Sequence, residues 1–244
     1  MRSPVQPAES APPAERVPSA AAVATSRVVY LLIAVIIAIS LVIQIVLVIT
    51  GGADARSGGV DMSVGLATRF ARIFSAFTIL SNLIVLTVSV LLAIDPLRDG
   101  RLWRVARLDA LLSIVITGIV YAVVLAPQVN LTGWALVITI GFHYLSPWLT
   151  LGAWLVFGPR PRFTWGTVAW AFIWPLTWVV FTFVRGGITG WYPYPFLDVT
   201  ELGLPGAVRN ALLVLVVAIV FAVLLKLVDR VLPATLRGAA RPSR

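Results

Sequence analysis

Apolar residues run through this chain in six long blocks, and the charges fall in the short stretches between them. The blocks are too continuous for the one-sided helices of a water-soluble bundle. A bilayer core of about 30 Å takes roughly 20 helical residues at about 1.5 Å each, so blocks of this length predict membrane-spanning helices. They lie at Val28 to Thr50, Phe74 to Ile94, Ala110 to Pro127, Trp134 to Phe157, Trp165 to Val184 and Ala207 to Leu225. The first is too long for the apolar region of a signal peptide and is expected to be retained. Residues 1–27, rich in Ala, Pro and Ser without periodicity, read as a disordered tail. Residues 28–232 form the six-helix domain, and residues 233–244 a basic tail. The predicted fold is therefore all-α and polytopic, with six transmembrane helices.

Composition agrees: 59% of the 244 residues are hydrophobic, 12% are charged, and the mean hydropathy is +0.97. These values exclude an ordinary soluble domain. The absence of cysteine excludes disulfides and thiolate chemistry, and the single histidine, His143, excludes a multi-histidine metal centre. No metal or cofactor is expected. The net charge of +9 follows the membrane pattern rather than a basic nucleic-acid-binding face. With the N-terminus inside, fourteen basic residues fall on the inner segments and five on the outer ones: Arg56, Arg69, Arg72, Arg185 and Arg209. The positive-inside rule then predicts a multi-pass protein of the cell membrane with both termini cytoplasmic. Trp103, Trp134, Trp165 and Trp191 sit at predicted span ends, where amphipathic rings suit the headgroup level.

Polar residues inside the spans fall at helical spacing. Ser75, Thr78, Asn82 and Ser89 form a stripe on the second span, with Ser81 beside it; Thr139, His143, Ser146 and Thr150 form one on the fourth. Ser113, Thr117 and Tyr121 make a third stripe, and Ser40 with Gln44 a fourth. The sixth span, with Arg209 and Asn210 at its entrance, has none from Ala211 to Leu225. Spans one to four are therefore expected to enclose a polar interior, with span six mainly facing lipid or serving as a packing partner. Counted from the outer ends of their spans, Gln44, Thr78, Asn82, Tyr121 and His143 share a layer roughly 6 to 14 Å deep.

If Thr78 and His143 meet, the imidazole takes the hydroxyl proton, the oxygen attacks an ester carbonyl, and Asn82 or Gln44 steadies the oxyanion. The nearest carboxylate is Asp198, in the loop from Gly186 to Pro205, whose aromatic and proline-rich stretch with Trp191 and Tyr194 reads as a lid.

Three stretches carry a resemblance: Phe77-Thr78-Ile79-Leu80-Ser81-Asn82, His143-Tyr144-Leu145-Ser146-Pro147-Trp148, and Gly190-Trp191-Tyr192-Pro193-Tyr194-Pro195-Phe196-Leu197-Asp198. Through them the chain after residue 27 resembles a six-helix integral-membrane family common in actinobacteria, one without an assigned activity. More distantly it is similar to the androgen-induced-gene family of multi-pass hydrolases. That second resemblance implies an intramembrane threonine nucleophile at Thr78 and a histidine partner at His143, cleaving fatty acid esters of hydroxy fatty acids. Ser81 is the alternative nucleophile. The site expected to surround them comprises Gln44, Ser81, Asn82, Tyr121, Ser146, Trp191, Tyr194 and Asp198. Membrane lipids and a lipid ester substrate are the expected partners. The rival expectation is a non-catalytic membrane protein that binds or moves a small or lipid-like ligand; a purely structural scaffold is the third.

Overall fold

A computed structural model describes residues 18–52 and 61–236, and every regular element among them is helical. In chain order these are α1 (Ala20–Thr50), the short α2 (Leu66–Ile73), α3 (Phe77–Ile94), α4 (Arg101–Gln128), α5 (Gly133–Phe157), α6 (Trp165–Thr189) and α7 (Val199–Val231). All but α2 are long and apolar enough to cross a membrane, as the hydropathy pattern predicts.

Helix ends depart from the sequence reading where polar residues are helical. Residues 20–27, expected in the disordered tail, form the first two turns of α1; alanine-rich sequence favours helix, and the Ser19 hydroxyl accepts the Ala22 N–H at 3.2 Å. The remainder of that predicted tail, residues 1–17, lies outside the described residues, as do residues 237–244 of the basic tail. Residues 233–236 of the basic tail pack rather than hang free: Leu236 is buried and the Thr235 N–H donates to the Val156 carbonyl at 3.0 Å. The α2 helix, with Arg69 and Arg72 on it, makes a corner before α3 that the hydropathy pattern does not signal.

Three long helices are interrupted, each one turn before a proline. Proline lacks an N–H and its ring crowds the carbonyl four residues earlier, so the regular ladder cannot continue there. Ahead of Pro127, α4 widens into a π turn at Tyr121–Leu125; ahead of Pro147, α5 does the same at Ile140–Leu145. Ahead of Pro175, α6 breaks at Phe172. In α7 the interruption is Gly203, whose φ of 66° lies in the region that favours glycine.

The long helices alternate in direction, so the described start of α1 and end of α7 share one end of the bundle. Polar contacts tie that end together. Arg107 donates to the Tyr30 hydroxyl at 3.1 Å, and Arg160 donates to the Leu155 and Pro233 carbonyls at 2.7 and 2.8 Å. The buried Asp229 carboxylate accepts the N–H groups of Arg162 and Phe163, each at 2.7 Å. Asp99 bridges Arg104 at 2.7 Å and Arg162 at 3.0 Å. Hydrogen bonds from Arg104 hold its carboxyl down at about 2.

At the opposite end Arg69 donates to the Val48 carbonyl at 2.7 Å, and the Trp178 indole N–H donates to the Ser75 carbonyl at 2.9 Å. Between the two ends, α4 is the central helix: 67% of its apolar window is buried, against 22% for α6 and 17% for α7. Helices α1, α3 and α5 pack on one side of it around Ile37, Val85, Ile114 and Phe142. Helices α6 and α7 lie on the other side around Leu108, Ala171, Ala218 and Ala222. That division decides where space for a ligand exists.

Candidate functional site

His143 lies in the π turn of α5. Pro147 removes the N–H that would have bonded the His143 carbonyl, and the widened turn that results carries the imidazole out of a regular helical register. The Tyr121 ring, itself at the start of the α4 π turn, stacks on the imidazole at 3.9 Å between centroids and 24° from parallel. Close approach of the two helices permits this: a Cβ added at Gly118 would stand 3.0 Å from Pro147 Cβ and 3.2 Å from the His143 carbonyl oxygen. Two proline-induced distortions thus face each other across one glycine.

Thr78 comes from α3. The sequence reading starts that span at Phe74, but the helix begins at Phe77, with residues 74–76 forming the corner after α2. Thr78 is therefore in the first helical turn, where backbone N–H groups have no partner in the helix and the positive end of the helix dipole lies. Its N–H donates to the Tyr194 hydroxyl at 3.0 Å. Its own hydroxyl lies 3.1 Å from the same Tyr194 oxygen and 3.3 Å from His143 Nε2. The other ring nitrogen, Nδ1, is directed at the Thr139 carbonyl one turn earlier without closing a well-formed hydrogen bond. A carbonyl can only accept, so in the tautomer with its proton on Nδ1 the ring leaves Nε2 to accept from the Thr78 hydroxyl.

The pair opens onto a cavity of about 360 Å³ between α4, α6 and α7. Thr78, Tyr121, His143 and Tyr194 stand at its wall; most of the rest is aliphatic and aromatic, including Leu112, Leu176, Phe183, Leu215 and Ala218. The space is not in the polar interior expected among spans one to four. It lies on the far side of α4, where α6 and α7 stand apart, and α7 lines it rather than serving only as a lipid-facing helix.

The other expected site residues divide clearly. Tyr121 and Tyr194 belong to the site. Asn82 supports it from behind: its amide donates to the Thr78 carbonyl at 2.8 Å and to the Phe142 carbonyl at 3.4 Å, joining α3 to α5, so it is not a donor facing the cavity. Gln44, Ser81 and Ser146 are buried in helix interfaces and line no part of the cavity. Asp198 does not reach His143; its carboxylate caps α7 by accepting the Thr200 N–H at 2.9 Å. Trp191 lies at the bundle end, flanked by the guanidinium groups of Arg72 at 5.3 Å and Arg185 at 4.8 Å. Further along the same loop, Tyr194, Phe196 and Leu197 line the cavity.

The sequence places Tyr194 at the site without revealing that its hydroxyl meets Thr78. Its ring stacks on Phe196 at 5.3 Å and leans on Trp178 at 5.9 Å, which fixes the hydroxyl over the first turn of α3. Chemically, the arrangement offers a hydroxyl beside an imidazole acceptor, a phenol against both the hydroxyl and its backbone N–H, and an apolar space beyond. Among the described residues no group of acidic and histidine side chains could hold a metal ion. Compared with family models, curated proteins and solved structures, the chain matches none.

Proposed function

We propose that the protein is a lipid ester hydrolase of the cell membrane in which Thr78 is the nucleophile and His143 its general base. The observation that carries this reading is the 3.3 Å separation of Thr78 Oγ1 and His143 Nε2 at the wall of an apolar cavity. His143 Nε2 takes the Thr78 proton as the oxygen attacks the ester carbonyl. The alcohol leaves with that proton, and water then cleaves the acyl-threonine by the same base. Negative charge develops beside the first turn of α3 and the Tyr194 hydroxyl, both suited to stabilise it. The acyl chain occupies the cavity between α4, α6 and α7. Thr78 is preferred to Ser81 because the Ser81 hydroxyl is buried away from both His143 and the cavity.

For orientation we take the basic end of the bundle, which holds both described termini, as cytoplasmic; the excess of fourteen basic residues over five supports it. The Thr78–His143 site then lies in the outer half of the membrane. Fluorophosphonate labelling of the purified protein tests the chemistry. Adduct formation on the parent protein that is lost in both Thr78→Ala and His143→Ala supports the reading. Loss in Ser81→Ala with retention in Thr78→Ala moves the nucleophile, and no labelling alongside no hydrolysis of lipid esters refutes it.

One observation favours a second reading: among the described residues no carboxylate bonds His143, so the pair lacks the third member that usually orients such a base. In that reading the cavity holds an apolar ligand without cleaving it. Tight binding of an uncleaved fatty ester by His143→Ala and parent protein alike would select it.

A further inference from the structure

A second concavity, of about 870 Å³, is lined by α3, the start of α4 and Trp174 of α6. Its long wall is apolar: Leu80, Leu83, Ile84 and Leu91 of α3 run along it, and Trp174 closes it where that ring stacks on Phe77 at 6.3 Å. Its mouth, at the end of the bundle that holds both described termini, carries Arg98, Arg101 and Trp103. Asp99 is the one acid at this mouth among the described residues, and it is engaged by Arg104 and Arg162. Among the described residues Arg98 and Arg101 form no ion pair. The Arg98 guanidinium sits over the Trp103 ring at 5.2 Å, which holds it at the rim.

We propose that this groove is a binding site for one anionic phospholipid, with its phosphate on Arg98 and Arg101 and an acyl chain along α3. An apolar trough about as long as the helix face between Leu80 and Leu91, ending in two uncompensated guanidinium groups, matches a molecule with the same division of apolar chain and negative head. Trp103 itself lines the mouth at headgroup level, where tryptophan normally sits. Cationic residues beside an anionic leaflet attract its lipids generally; the trough adds a fixed place for the chain. Thr78 and His143 take no part in this site.

The test is native mass spectrometry of the detergent-purified full chain titrated with phosphatidylglycerol or phosphatidylcholine. Parent protein is expected to retain phosphatidylglycerol about tenfold more tightly. Arg98→Gln with Arg101→Gln, and separately Ile84→Trp, which fills the trough, should abolish the preference. Arg27→Gln with Arg230→Gln removes the same charge at the same end outside the groove and should preserve it. Equal retention of the two lipids by the parent protein, or loss of preference in the Arg27/Arg230 variant, overturns the proposal. So does full competition by inorganic phosphate, which would mean an anion site without a lipid chain. Thermal unfolding of each variant shows whether it is folded, and the Ile84 arm stands should the Arg98/Arg101 variant fail to fold.

Discussion

The Tyr121 ring stacks on the His143 imidazole at 3.9 Å, and both residues sit in helix turns widened by a proline downstream. The stack holds the imidazole plane so that Nε2 meets Thr78. Tyr121→Phe keeps the ring and should retain hydrolysis within about twofold, whereas Tyr121→Ala removes a contact of about 0.5 to 1.5 kcal/mol and should slow it by roughly tenfold. Initial rates on a lipid ester distinguish the two. Equal losses would place the role in the Tyr121 hydroxyl and not in the stack.

Tyr194 makes a sharper case because its hydroxyl touches the Thr78 oxygen and accepts the Thr78 N–H. Tyr194→Phe keeps the packing on Phe196 and Trp178 and deletes both contacts. Losing a donor beside a developing oxyanion costs roughly a hundredfold in rate. The fold should lose only about 1 to 3 kcal/mol, the penalty for an unsatisfied buried N–H. Rate and thermal unfolding measured on the same preparation check both halves.

At Gly118 α4 and α5 are in tight contact, and the atoms a methyl would meet, Pro147 Cβ and the His143 carbonyl, are rigid. Gly118→Ala must push the helices apart or rotate α5. It should destabilise the protein by about 1 to 3 kcal/mol and lengthen the Thr78–His143 contact. Pro147→Ala should act oppositely on stability, since it restores a helical N–H, yet should also reduce hydrolysis because the π turn that presents His143 is relieved. A Pro147→Ala protein that is both more stable and fully active would show that the distortion has no part in the site.

Hydropathy made the six spans legible, since apolar runs of membrane length have few other uses. Helix ends were less legible: Arg101 to Asp109 and Val199 to Gly206 lie beyond the apolar runs, yet they are helical. Helical spacing also identified inward-facing polar residues but could not say which interior they face. Gln44, Ser81 and Ser146 turn into the tight α1–α3–α4–α5 packing, while Thr78 and His143 reach the α4–α6–α7 side. The cavity itself was invisible because its walls, such as Leu112, Leu176 and Leu215, are the same aliphatic residues that fill membrane helices everywhere. Asp198 misled for a related reason. A lone acid near a histidine in sequence-derived depth looks like a triad member, but Asp-Val-Thr just before an apolar run is equally a helix cap, and it is used as one.

Part of the acid sensitivity should originate at the basic end. The Asp99 carboxyl is held at about 2 in the folded protein by Arg104, below its ordinary 3.8. A depressed folded value means the ion pair's contribution is complete above the ordinary value and is lost as pH falls through about 2. Unfolding followed by tryptophan fluorescence between pH 5 and pH 2 should show stability falling in that window. Asp99→Asn should lower stability at neutral pH and make the fall shallower, by an amount kept small because the group is largely exposed. An unchanged slope in Asp99→Asn would exclude this pair as the acid-sensitive contact.

Ala218 tests what the cavity is for. It lies on α7 against α4, at the part of the cavity lined also by Leu112 and Leu215, away from the Tyr194 end where the Thr78–His143 pair opens. Ala218→Phe places a ring in existing space, so it shortens the cavity with less overpacking than the same change in a filled core. If the cavity takes the acyl chain of the ester, short-chain esters should be cleaved at nearly the parent rate, because neither Thr78 nor His143 is touched. Long-chain esters should then lose about tenfold in kcat/KM, since the methylenes that no longer fit forfeit about 0.8 kcal/mol each of burial. Profiling kcat/KM against chain length for parent and variant measures this directly. Parallel profiles would mean that the chain leaves the site by another route, toward lipid between α6 and α7.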